Sequence, residues 1–272
     1  MEFFLVITFL ILGLCCGSFV NMLVYRTAEK YKIPNHKKQF PNKFQITKNK
    51  SQSRSFCDFC GRQLCWWENV PVVSWVMQRG ESKCCGKKLP TEYPLVEMIA
   101  GILILITNYQ LLITNYNEVL RTIILIIVVT MLVFSAVFDM KYMILPDFST
   151  IILSLGAIGL IIVSKDDPLP FIWGAIGGAV FLGLLHLITR GRGMGMGDVK
   201  LAIFMGLFLG WQKLIVAMYV AFIVGAVYGL WLIYGLKKSK KSQIPFGQFL
   251  ILGTIVAWQF GQNVIKLLIT NY

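Results

Sequence analysis

Charge is scarce in this chain. Only 14% of its 272 residues are Asp, Glu, Lys or Arg, against about 25% in an ordinary soluble domain. Acidic residues are rarer still, 13 against 26 Lys+Arg, and histidine occurs twice. Seven cysteines and nine prolines in this length are too few for a disulfide-built secreted module or a collagen-like chain. With 56% hydrophobic residues, disorder is excluded as well. No Ser-His-Asp constellation and no phosphate-cradling P-loop occurs. The glycine string at 193–197 has no strand–helix setting, so it is not a dinucleotide fingerprint.

What is present is apolar length. Mean hydropathy is +0.68, and a crossing helix needs roughly 20 apolar residues. Runs that fit lie near 3–24, 95–106, 122–138, 148–163, 171–188, 199–209, 214–234 and 249–269. The expected fold is an all-α polytopic membrane protein with about eight transmembrane helices and a small cytoplasmic cysteine-containing loop module. The first run is too long for a signal peptide, and it follows Glu2 rather than a basic start.

The basic residues orient this bundle. Residues 26–92 carry 14 Lys+Arg against five acids. Alternate loops add Lys141, then Arg190, Arg192 and Lys200, then Lys237, Lys238, Lys240 and Lys241. Thus 22 of 26 basic residues fall on one side, and only Arg121, Lys165, Lys213 and Lys266 on the other. By the positive-inside bias the basic side is cytoplasmic and both termini lie outside. The net charge of +13 is then a topology signal with attraction to anionic lipid, not a nucleic-acid footprint. The expected division is a first transmembrane helix over 1–25, a cytoplasmic basic loop over 26–92 and a membrane core over 93–272. The Leu-Ile-Thr-Asn-Tyr repeat at 105–109, 112–116 and 268–272 is too irregular for a solenoid and reads as low-complexity sequence.

In the loop, residues 30–55 are polar, lysine-rich and expected to be flexible. Cys57-Asp-Phe-Cys60 follows, with the spacing of a metal-binding knuckle, and Cys84-Cys85 comes later. A regular second knuckle ending at Cys85 would start at position 82, which is Ser82. The expected zinc ligands are Cys57, Cys60, Cys85 and Cys84; Cys65 is the alternative fourth, because adjacent ligands strain a tetrahedron, and a metal-free remnant of such a site is the competing reading. Cys15 and Cys16 read as small packing residues within the first span.

Acids beside membrane helices are expensive and need a reason. Asp139 ends the third run, and Asp198 closes Gly193-Met-Gly-Met-Gly-Asp198 and opens the sixth. Two carboxylates at one boundary can share a proton, one acting as acid and the other as base on water. The competing readings are a helix cap for Asp198 and pairing of Asp139 with Lys141. Asp147, after Pro146, reads as a cap, and His186, alone in its span, as a hydrogen-bonded packing residue. Glu97, just inside the second run, is expected to face a polar cavity.

Taken together, these residues resemble the type IV prepilin peptidase family of GxGD-type membrane aspartic peptidases. The resemblance is carried by Gly17-Ser-Phe-Val-Asn21, Tyr25-Arg26, Cys57-x-x-Cys60, Glu68-Asn-Val-Pro71, Ser74-Trp75, Arg79-Gly80 and Tyr93-Pro-Leu-Val-Glu97. Asp139, Leu145-Pro-Asp147, Gly195-Met-Gly197-Asp198-Val-Lys-Leu201 and Ile244-Pro-Phe-Gly247 complete it. It implies an inner-membrane endopeptidase with Asp139 and Asp198 as the catalytic pair, trimming the leader of prepilins or pseudopilins on the cytoplasmic side. It also implies zinc in the cysteine loop, and S-adenosylmethionine as donor for methylation of the new N-terminus. The alternatives are a related peptidase for preflagellin-like substrates, or a non-enzymatic transporter or assembly scaffold. A transporter would place acids near mid-bilayer and repeat its halves, and neither is seen.

Overall fold

The computed structural model describes residues 2–31, 33, 55–57, 59–109, 116–191, 193–235 and 245–270. The basic stretch through 34–54, the loop lysines at 237–241 and the last two residues of the third Leu-Ile-Thr-Asn-Tyr copy lie outside the described residues, as does nearly all of the second copy. Among the described residues the structure is helical, without named strands, and it separates into two compact units over Met1–Ile113 and Thr114–Tyr272.

Unit 1 pairs two helices, α1 (Glu2–Lys30) and α3 (Glu92–Tyr109), which pack along each other. Between them in sequence come a 3-10 turn at Trp66–Asn69 and the short α2 (Val73–Met77). Close approach of α1 and α3 depends on a Gly-xxx-Gly stripe. A Cβ on Gly13 would lie 2.7 Å from the Cα of Gly101, and one on Gly17 would lie 2.5 Å from the Cα of Glu97. Where lipid is as apolar as the side chains, such backbone contact is what holds helices together.

Unit 2 holds α4 (Tyr116–Tyr142), α5 (Asp147–Ser164), α6 (Leu169–Ile188), α7 (Met196–Leu230) and α8 (Gly247–Thr270), with a π turn at Trp231–Gly235 after α7. Helix α7 is two arms. Gly210 sits at φ 73°, ψ 167°, outside helical space and open to glycine. A Cβ on Gly174 of α6 would meet the Gly206 carbonyl oxygen at 2.8 Å and the Trp211 nitrogen at 2.9 Å. One turn along, Gly178 faces the Ala202 oxygen at 2.9 Å and a Leu214 methyl at 3.3 Å. Residues 202 and 214 would stand about 18 Å apart on a straight helix, so the chain reverses at Gly210. The sixth and seventh apolar runs are therefore separate arms, as their sequence implies.

Five described helices are long and apolar enough to cross a membrane: α1, α4, α5, α6 and the folded α7. The other expected spans fall short for visible reasons. The first arm of α7, over 196–209, reaches about 21 Å at helical rise. Helix α3 carries Glu92, Pro94, Glu97 and Asn108, and α8 is diluted by Gln259, Gln262, Asn263 and Lys266. The core of unit 2 is formed by Val128, Leu153, Leu182, Leu201, Phe204, Met205 and Leu250, all buried. Ile151, Leu155 and Ile162 of α5 and Trp173, Val180 and Leu184 of α6 point outward. Such an apolar exterior is what a lipid-facing surface requires.

Candidate active site and metal centre

The reversal at Gly210 returns the chain to the end of unit 2 where α4 finishes. Asp139 lies in the last turn of α4 and Asp198 in the first turn of α7. Both are buried, at 5% and 7% exposure, although each stands at a helix end where water is normally reached. Their surroundings interlock. A Cβ on Gly197 would touch Leu145 at 3.0 Å. One on Gly247 would touch Leu145 at 3.2 Å and the Asp139 Oδ2 at 2.8 Å. Leu145 thus bridges the two acid-bearing helix ends and the start of α8.

Backbone N–H groups address both acids. Gln248 N–H donates to Asp139 Oδ2 at 3.2 Å, and Gly195 N–H donates to Asp198 Oδ2 at 3.0 Å. Asp198 is therefore the third residue of its helix, reaching back to Gly195 rather than capping through its own position. Behind Asp139 the α4–α5 corner is fixed by Ser149, whose hydroxyl donates to the Pro146 carbonyl at 2.8 Å while Ser135 donates to Ser149 at 3.1 Å. The role of Gly247 and Gln248 escapes a reading from charges, because backbone groups donate. The Ile244-Pro-Phe-Gly247 motif is the one sequence signal that marks them.

The remaining expected residues fall elsewhere. Asp147 begins α5 after Pro146 and makes no side-chain cap; its carboxylate pairs with Lys200 at 2.6 Å on the surface. His186 packs as expected, its Nδ1 2.7 Å from the Met194 carbonyl. Glu97 in unit 1 is buried and accepts the Val72 N–H at 2.7 Å. Nearby, Asn21 of α1 donates to the Tyr93 carbonyl at 3.2 Å.

The cysteine loop has an internal correspondence that its sequence obscures. Cys57 N–H donates to the Arg62 carbonyl and Gly61 N–H to Cys57. Twenty-five residues later, Ser82 N–H donates to the Lys87 carbonyl and Gly86 N–H to Ser82. The isolated bridges Phe56–Gln63 and Glu81–Lys88 repeat the pattern, and Gly61 and Gly86 share positive φ values of 72° and 67°. The second knuckle is therefore present, with Ser82 in the place of its first cysteine and Cys85 in the place of its second. Cys84 leans in to complete the set. The sulfurs of Cys57, Cys60, Cys84 and Cys85 all lie within 4.8 Å of one another.

This donor set fits a thiophilic divalent ion. Tetrahedral zinc with bonds of about 2.3 Å spaces its sulfurs by roughly 3.8 Å. Cys57 and Cys85 stand 3.9 Å apart, and Cys60 and Cys84 3.1 Å, the tighter pair. Burial opposes ionisation of Cys57, but hydrogen bonds led by the Ser82 hydroxyl outweigh it and bring the thiol to about 6. Burial pushes Cys84 up to about 12. Cys65 stands outside the group; its N–H donates to the buried Glu68, which also takes Arg62 at 2.8 Å. The adjacent Cys84 and Cys85 thus both place their sulfurs in the group, against the strain expected of them.

Against known proteins, residues 11–111 match the model for the bacterial peptidase A24 N-terminal domain, and residues 126–230 match that for the type IV leader peptidase family. A protein of Bacillus subtilis is 30% identical over 78% of this chain and 84% of its own length. The chain belongs to the type IV leader peptidase family. Further relatives from Stutzerimonas stutzeri and Pseudomonas aeruginosa are each 29% identical, across 94% of this chain and 90% and 91% of their own lengths. All three bear the name prepilin leader peptidase/N-methyltransferase. No solved structure matches the chain significantly. The two family models divide this leader peptidase homologue much as its contacts do: the cysteine loop belongs to the first match and both aspartates to the second.

Proposed function

We propose that this protein removes the leader peptide of type IV prepilins or pseudopilins and methylates the N-terminus so exposed. Asp139 and Asp198 are its catalytic pair, acting at the cytoplasmic face of a bacterial inner membrane with both chain termini outside. The observation that carries the peptidase reading is that the helix ends bearing the two buried carboxylates meet around Leu145, with Gly247 against Asp139, at one end of unit 2. The positive-inside distribution of 22 of 26 basic residues supports the orientation.

Two like charges in such a site share one proton and titrate as a pair. The charged member takes a proton from water as the water oxygen attacks the scissile carbonyl, and the protonated member hydrogen-bonds the carbonyl oxygen. Collapse of the tetrahedral species breaks the C–N bond, and the amine leaves with a proton from the pair. The N–H groups of Gly195 and Gln248 hold the carboxylates in place, and glycine at 197 and 247 lets Leu145 and Asp139 pack against the backbone there. In the loop, Cys57, Cys60, Cys84 and Cys85 would hold zinc, whose role there would be structural. When bound, S-adenosylmethionine supplies an electrophilic methyl group to the new amine.

The test is incubation of purified protein with a synthetic prepilin, read by the N-terminal mass of the product. Asp139→Asn and Asp198→Asn, near-isosteric changes, are each expected to cut leader removal by about 10²–10⁴-fold, as for other essential acid–base groups. Cleavage by either variant at a comparable rate sinks the assignment.

A further inference from the structure

The segment that joins α6 to Asp198 is rich in glycine, with Gly191, Gly193, Gly195 and Gly197 in close succession. Glycine gives up more backbone freedom on ordering than any other residue, so a fixed shape here depends on contacts from outside the segment. The end of α6 supplies them. Gly191 closes that helix at φ 71°, its N–H donating to the His186 carbonyl at 2.9 Å, and a Cβ on it would lie 3.3 Å from the imidazole ring. A Cβ on Gly193 would lie 3.0 Å from the Thr189 methyl. Met194 is buried in the core of unit 2, and its carbonyl oxygen stands 2.7 Å from His186 Nδ1. A carbonyl oxygen only accepts, so Nδ1 carries the proton and donates it.

The other side of that same peptide group is the Gly195 N–H, which donates to Asp198 Oδ2 at 3.0 Å. In a planar trans peptide the carbonyl and the N–H point in opposite directions, so the two hydrogen bonds run in series through one amide. A donor on the oxygen draws electron density from the nitrogen and makes its N–H a better donor; bonds in such chains strengthen one another by about 10–30%. We infer that His186 is a positioning residue for Asp198, acting through the Met194–Gly195 peptide. The imidazole fixes the rotation of that peptide plane, and the plane fixes the direction in which the carboxylate faces. Without the imidazole the amide, flanked by Gly193 and ending in Gly195, is free to turn its N–H away from Asp198. The inference rests on the peptidase reading and gives His186 a part in it beyond packing.

The test compares two variants of the purified full-length protein. His186→Leu keeps an apolar body and removes the donor. His186→Asn keeps a donor in the same place, because its side-chain nitrogen and the imidazole Nδ1 are both bonded to Cγ. In cleavage of a synthetic prepilin, His186→Leu should lower kcat about tenfold, the weight of one hydrogen bond, with KM within about twofold of the parent and His186→Asn within about threefold in kcat. A second readout is independent of activity. Labelling Met carbonyl carbon with ¹³C and Gly nitrogen with ¹⁵N selects the three Met–Gly peptides, 194–195, 196–197 and 205–206, in an NMR spectrum. The Gly195 amide proton, assigned by reference spectra of Met196→Leu and Met205→Leu, should move upfield in His186→Leu and stay near its parental position in His186→Asn. The Gly206 amide should move in neither. Equal slowing by both variants with matching falls in thermal midpoint would mean that His186 only packs, and overturns the inference. Parental kcat in His186→Leu, or a Gly195 amide that does not move, overturns it equally while leaving the peptidase reading intact. A parent that cleaves no prepilin overturns the peptidase reading and the role of His186 together.

Discussion

Cys84 groups with the sulfurs of Cys57, Cys60 and Cys85 while position 82, which has the backbone place of a knuckle cysteine, holds serine, and this makes an exchange experiment decisive. In the parent, Ser82 Oγ lies 3.5 Å from Cys57 Sγ and 3.1 Å from Cys84 Sγ, at the edge of the group. Zinc held by four such ligands contributes roughly 10–16 kcal/mol in small zinc domains. One ligand in four then carries about 3 kcal/mol, or about two orders of magnitude in affinity. Cys84→Ser should therefore weaken zinc about 100-fold. Adding Ser82→Cys to it should restore most of that loss, because residue 82 already has the backbone geometry of a knuckle cysteine. Competition with a chromophoric chelator measures the affinity, and cobalt substitution reports the number of thiolates through its charge-transfer absorption. A Cys84→Ser protein that binds zinc as tightly as the parent, with four-thiolate cobalt absorption, would refute the reasoning. So would a double variant no better than the single one.

Other expectations are narrower. Gly247→Ala places a methyl 2.8 Å from Asp139 Oδ2 and 3.2 Å from Leu145; overpacking costs about 1–3 kcal/mol, and displacement of Asp139 should slow leader removal at least about tenfold. Equal cleavage by this variant would mean that Gly247 does not position the acid. Gly206→Ala drives a methyl into the backbone of Gly174 and Ala175, and the thermal midpoint should fall by an amount near the top of about 1–3 kcal/mol. Gly177→Ala, with nothing within 4 Å, should instead be neutral or stabilising by up to about 1 kcal/mol through helix propensity; a similar fall in both would argue against the folded-back α7. Lys200→Met breaks the surface pair with Asp147 and should shift stability by less than about 1 kcal/mol. A larger effect in thermal unfolding would mean that the α5–α7 contact depends on that ion pair.

Much of the site could be read before any coordinates, for reasons that differ between residues. Asp139 and Asp198 stand out because a carboxylate in an apolar run is costly, so its presence alone is informative. His186 was rightly read as a packing residue because it had no companion with which to ligate. Asp147 resembled a cap by position, but Lys200, 53 residues away, claims its carboxylate. Gly247 and Gln248 act on Asp139 from 109 residues away through a backbone N–H, a group every non-proline residue has and no composition reveals.

By itself, the sequence determined the class of protein, the helical arms and the identity of the expensive acids. These follow from local quantities: apolar length, charge position and the cost of a carboxylate in lipid. Tertiary structure alone decided that the two arms of α7 fold back, that Leu145 and Gly247 close around the aspartates, and that Cys84 stands in for a cysteine missing at 82. Those outcomes depend on which distant backbones can approach within van der Waals contact. Such closeness is a property of packed helices and is not written in any single stretch of the chain.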